Sequence, residues 1–165
     1  LAALALAVGV TGAQAFLGVV THVTDGDTVW VQPDAGRSAR QRQPIKLRLR
    51  GIDAPEPCQT WGPQASAALA SRVLHQRVEV RTHGKDSYGR ALGDMRLAGE
   101  DVSAWMVAQG HAWNYGFKRR TGPYAQQQRQ ASTARRGLFG EPDALEPRWF
   151  RKRHGPCEWG PGNRG

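Results

Sequence analysis

From Phe16 onward the chain alternates apolar and polar positions in short runs. FLGVVTHVT (16–24) and TVWVQ (28–32) read as strands around the turn residues Asp25-Gly26-Asp27. PDAGRSARQRQP, Pro33 to Pro44, is polar, basic and bounded by prolines, and reads as a hairpin loop. IKLRLRG follows as a strand with Ile45, Leu47 and Leu49 on one face. RVEVRTHG and YGRALGDMRLAG supply two more strands. The period then lengthens in three places. Pro63 opens a helix through Gln76 with Ala65, Ala68, Leu69 and Val73 on one stripe. Val102, Trp105, Met106 and Gln109 mark a second helix, stopped at Gly110. A weaker pattern predicts a third from Pro123 to Arg136, ending at Gly137. From Glu141 the chain is rich in Pro, Trp and Arg and shows no period. Five short strands interrupted by helices predict an α+β domain, mainly β, built on a closed or partly open barrel such as the OB type.

The first fifteen residues, LAALALAVGVTGAQA, change where that domain begins. They carry no charge, end in an A-x-A pattern and are too short to span a membrane. They read as a partial signal peptide, with the mature chain starting near Phe16. The expected organisation is a signal peptide over 1–15, a barrel domain over 16–140 and a basic tail over 141–165. Export makes the two cysteines, Cys58 and Cys157, better suited to a disulfide than to two unrelated thiols. Such a bridge closes a loop of roughly 100 residues, which stabilises by about 4–5 kcal/mol in the chain-entropy model. The 23 Lys and Arg against 14 Asp and Glu give a net charge of +9, which fits a polyanionic partner.

Three stretches hold groups that could carry chemistry. Asp25-Gly26-Asp27-Thr28 and Asp86-Ser87-Tyr88-Gly89-Arg90 are each ordinary turns by composition. Between them LRLRGIDAPE brings Arg48, Asp53 and Glu56. Together they form a coherent set. Asp27 and Asp53 offer oxygen ligands to a hard cation. Arg48 and Arg90 offer forked donors to a phosphate. Glu56 offers a base or orienting group for water. Pro55 stiffens the backbone between Asp53 and Glu56.

TDGDTV, LRLRGIDAPE and DSYGRALG, in that order, resemble the motifs of the staphylococcal-nuclease-like (thermonuclease) family. VAQGHAW and the following basic helix ending RRGLFG extend the resemblance over Val19 to Gly140. It implies a five-stranded OB-fold barrel with about three helices. It also implies Ca²⁺-dependent hydrolysis of DNA and RNA to 3′-phosphates by an exported, periplasmic or secreted monomer with no stable membrane association. By position, Asp27 and Asp53 would bind Ca²⁺ through side chains and Ala54 through its carbonyl. Arg48 and Arg90 would hold the scissile phosphate, Glu56 would act on water, and Asp25 would stand in the outer shell. Tyr88 would lie near the bound nucleotide. Ser87 stands where the best-known member has a phosphate-binding lysine. That member's two later tyrosines do not align here without a gap; Trp113, Tyr115 and Phe117 are nearby. A noncatalytic OB-fold nucleic-acid-binding domain is the alternative. The tryptophans Trp30, Trp61, Trp105 and Trp113 read as core or rim packing. The basic run RWFRKRHG (148–155) either meets a nucleic-acid backbone or is simply solvated or packed down by Cys157.

Overall fold

The computed structural model describes residues 14–34, 42–116 and 121–157. Most of the expected signal segment, the centre of the Pro33–Pro44 loop and Phe117 therefore lie outside the described residues. Gln14 and Ala15 already belong to the first strand, where they pair with Thr82 and Arg81.

The strands are β1 (Gln14–Asp25), β2 (Thr28–Pro33), β3 (Ile45–Leu49), β4 (Ile52–Asp53), β5 (Arg77–Lys85), β6 (Ala91–Leu97), β7 (Glu100–Asp101) and β8 (Trp113–Asn114). The sheet runs β3-β2-β1-β5-β6, and β3 then pairs in parallel with β6 to close a five-stranded barrel. The strand alternation explains the interior. Leu47 and Leu49 are fully buried beside Val20, Val29, Val31, Val78, Val80 and Met95, while Lys46 and Arg48 project from the other face of β3.

Among the described residues, four α-helices cover this barrel: α1 (Gly62–Val73), α2 (Val102–Ala108), α3 (Ala125–Thr133) and α4 (Pro147–His154). The first is shorter than its sequence pattern because Leu74 is extended and His75 has φ 61°. Leu69 and Val73 of α1 and Met106 and Val107 of α2 seal the barrel core. Asp101 caps α2 through a 3.1 Å bond from the Ala104 N–H. Its other oxygen accepts the Tyr124 hydroxyl at 3.0 Å, joining α2 to the start of α3. The end of α2 lies so close to the chain after α3 that a Cβ on Gly110 would stand 2.1 Å from the Arg136 carbonyl oxygen. Gly110 also has φ +74°, so the position requires glycine twice over.

The fourth helix has no counterpart in the sequence pattern. Pro147 begins it and Gly155 follows it with φ 72°. Eight residues are too few to hold a helix alone in water. Its support is covalent: Cys58 and Cys157 form a disulfide just beyond its end.

Candidate active site

The expected site residues come together. A cleft of about 490 Å³ is lined by Asp25, Asp27, Arg48, Asp53 and Ala54 on one side. Glu56, Tyr88 and Arg90 complete it, with two residues the motifs did not supply, Lys46 and Arg151.

The acidic centre depends on a tight turn. A Cβ on Gly26 would lie 2.7 Å from the Ala54 Cβ and 2.9 Å from that of Ala65, so only glycine lets the Asp25–Asp27 turn sit on β4's exit and α1. Asp27 and Asp53 are each only 6% exposed. The Asp27 carboxylate accepts from the Ala54 N–H at 2.8 Å and the Thr28 hydroxyl at 3.1 Å. Asp25 accepts from the Asp27 N–H at 3.0 Å.

Arg48 sits among these acids. Its Nε lies 3.1 Å from Asp27 and its Nη2 3.1 Å from Asp53. Its Nη1 donates to the carbonyls of Leu49 and Ile52, both at 2.9 Å. Three of the five guanidinium N–H groups donate to the protein and Nε faces Asp27, so one hydrogen on Nη2 remains. The sequence reading sent Arg48 to a phosphate. The structure gives it a prior task, because two buried carboxylates need a nearby positive charge.

Arg90 is held differently. Asp86 accepts from its Nε at 2.7 Å and, through the other oxygen, from the Tyr88 and Arg90 backbone N–H groups. The turn thus aims Arg90 into the cleft, with Thr28 Oγ1 3.5 Å from its Nη1. Tyr88 is 83% exposed, and its ring lies 5.4 Å from the Arg90 guanidinium.

Glu56 meets an unexpected partner. Its carboxylate accepts from Arg151 Nη1 at 2.5 Å, while Arg151 Nη2 lies 3.4 Å from Asp53. The loop bearing Glu56 is fixed to the C-terminal segment at two points. One is the Cys58–Cys157 bridge, and the other is the 2.6 Å bond from Gln59 to the Leu145 carbonyl. The expected disulfide is therefore present, and it tethers this rim to the C-terminal segment.

The barrel and the three ordered motifs agree with a family match. The model of the staphylococcal nuclease homologue family matches residues 46–141. The chain belongs to that family. Protein ParB of Escherichia coli is 39% identical over 166 residues, covering 92% of this chain and 90% of that protein. A micrococcal nuclease of Shigella flexneri is 35% identical, covering 91% and 89% respectively. An uncharacterized endonuclease of Haemophilus influenzae is 32% identical, covering 81% and 71%. As a member of the staphylococcal nuclease homologue family, the chain is a phosphodiester-hydrolysing nuclease.

The donor chemistry of this nuclease site suits a hard cation. Burial, reinforced by the Asp27 charge, pushes Asp25 up to about 7 and Asp53 to about 6, with Arg48 pulling both back down. Mutual repulsion of this kind is what a divalent ion relieves. Among the described residues no three His, Cys, Asp or Glu side chains form a complete cage. Asp27 and Asp53 would therefore need carbonyl and water oxygens to fill a shell of six to eight ligands.

The raised values set a direction with pH. A carboxyl that is harder to ionise folded than unfolded contributes stability fully present below its unfolded value, about pH 4, and lost as pH rises through 6 and 7. His111, lowered by burial, opposes this over part of that range. In chelator, the melting temperature of wild-type protein is expected to fall between about pH 5 and about pH 8. Asp25→Asn should flatten that fall, measured by thermal melts at both values. An equal slope in the variant would show that Asp25 does not set it.

Two cleft residues were missed at the level of sequence. Lys46 was readable, since period two puts it on the same outward face as Arg48. Arg151 was not, because only the fold brings the basic tail back to Glu56. Arg50, which had no assigned role, pairs with Asp94 on β6 through bonds of 2.9 and 3.2 Å.

Proposed function

We propose that this nuclease is exported, requires Ca²⁺, and hydrolyses both DNA and RNA to leave 3′-phosphates. The observation that carries the reading is one cleft holding two buried carboxylates, two arginines and a further carboxylate. Asp27 and Asp53, with the Ala54 carbonyl, would hold Ca²⁺, which would supply positive charge beside the substrate phosphate. Arg90 and the remaining Nη2 hydrogen of Arg48 would bind phosphate oxygens as charge develops on them. Glu56 would take a proton from the attacking water as the water oxygen bonds to phosphorus and the 5′ oxygen leaves. Tyr88, exposed at the rim, would lie against the adjacent nucleotide. Export is supported by the apolar leading segment and by a disulfide, a bond rare in reducing compartments. Among the described residues no helix is long and apolar enough to cross a membrane.

The direct test incubates the full chain with plasmid DNA and with RNA, in Ca²⁺ and in chelator. Cleavage in Ca²⁺ alone, with 3′-phosphate ends, is expected. Binding without cleavage would overturn this reading in favour of a noncatalytic OB-fold module.

A further inference from the structure

Helix α4 lies beyond the region matched by the family model, which stops at residue 141, yet it reaches the cleft. Arg151 is its innermost contact, pairing with Glu56 and Asp53. Helical spacing makes Arg148 a neighbour of both Arg151 and Lys152, three and four residues on, with Trp149 beside it. Trp149 is 44% exposed. Arg148 and Lys152 both lie over its ring, at 5.2 and 5.4 Å from the centroid. Among the described residues, the Glu146 carboxylate, 2.8 Å from Arg148, is the one acid paired with this face outside the cleft. That pair is exposed and weak, so a phosphate can replace it at little cost.

We propose that α4 is a disulfide-clamped arm that binds the backbone of a nucleic-acid strand where it leaves the cleft. The inference rests on the nuclease reading and adds to it a second substrate-contacting surface. Charge complementarity and continuity with the cleft both support it. Arg151 links the arm to the reacting region, Arg148 and Lys152 carry the positive track outward, and Trp149 offers an aromatic face to an unstacked base. The helix cannot keep this position unaided. The Cys58–Cys157 bond is its covalent link to the loop that carries Glu56, beside the Gln59–Leu145 hydrogen bond and the Arg151–Glu56 ion pair. The arm would therefore contribute most in the oxidised protein.

The test uses the oxidised full chain with Arg148→Gln/Lys152→Gln, with Cys58→Ser/Cys157→Ser, and with Arg129→Gln as a single-charge control on the exposed side of α3. The probe is a labelled single DNA strand roughly twenty nucleotides long, enough to extend past the cleft. Its Kd is measured across a salt series in chelator, and its KM and kcat in Ca²⁺. Losing two phosphate contacts should lower the slope of log affinity against log salt by about 1.4. The KM of Arg148→Gln/Lys152→Gln should rise with its Kd while kcat holds. The cysteine variant should lose at least as much slope, and Arg129→Gln none. A purely structural helix would lower kcat and the melting temperature and leave the salt slope alone.

An unchanged slope in Arg148→Gln/Lys152→Gln overturns the proposal, whatever the cysteine variant does. So does loss of binding to anionic phospholipid vesicles with strand binding intact, which would make α4 a membrane contact. A wild-type chain that binds the strand with the arm's slope but never cuts it overturns the nuclease reading and upholds the arm.

Discussion

Arg48→Ala should lower kcat by about 10²–10³-fold, roughly 3–4 kcal/mol of transition-state stabilisation. Two effects act together. The variant loses the Nη2 donor proposed for the phosphate. It also leaves Asp27 and Asp53 facing each other without the guanidinium that now lies 3.1 Å from both. The second effect can be separated from the first. It should appear as a lower melting temperature at neutral pH, partly recovered in acid, where Asp53, already raised by burial, can take a proton. Arg48→Lys keeps the charge and loses the fork. It should restore more of the stability than of the rate. Initial rates measured across a Ca²⁺ titration separate weakened metal binding from lost turnover. A near-wild-type kcat at saturating Ca²⁺ would remove Arg48 from the reaction and leave it as a brace for the acids.

Cleaving the Cys58–Cys157 bond should destabilise the protein by about 4–5 kcal/mol in the chain-entropy model, a fall in melting temperature on the order of 10–20 °C. The bridge joins residues 99 apart in sequence, so reduction frees a long loop in the unfolded chain. The folded chain responds locally too. Helix α4 keeps the Gln59–Leu145 bond and the Arg151 ion pairs, but these are few and partly exposed. Amide exchange over 147–154 should therefore quicken before the barrel opens. Melts of oxidised and of reduced, alkylated protein give the first number, and exchange measurements give the second. Equal midpoints in the two forms would show that the bridge constrains α4 without stabilising the barrel.

The barrel was readable because its code is local. Alternation along IKLRL put Leu47 and Leu49 inward and Arg48 outward, and the structure does the same. The site was readable only through the order of three motifs, since each turn alone is ordinary. Two features escaped for physical reasons. Helix α4 has no apolar stripe and depends on a covalent bond and ion pairs, which leave no period to detect. The engagement of Arg48 follows from how closely Asp27 and Asp53 approach. That proximity is set by Gly26, whose missing side chain lets the turn settle against Ala54. A glycine in a turn looks the same in sequence whether or not something presses against it.

The parallel pairing of β3 with β6 governs when the enzyme becomes dangerous to its own cell. Arg48 is in register with Leu92, and Arg90 directly precedes the Ala91 that faces Leu47. The two arginines become neighbours only when the barrel closes. That closure joins segments more than forty residues apart, and contacts of such long range are slow to form. A chain whose strands are still unclosed therefore holds every residue of the site and no site. The cutting centre is assembled by closure of the barrel rather than switched on after it.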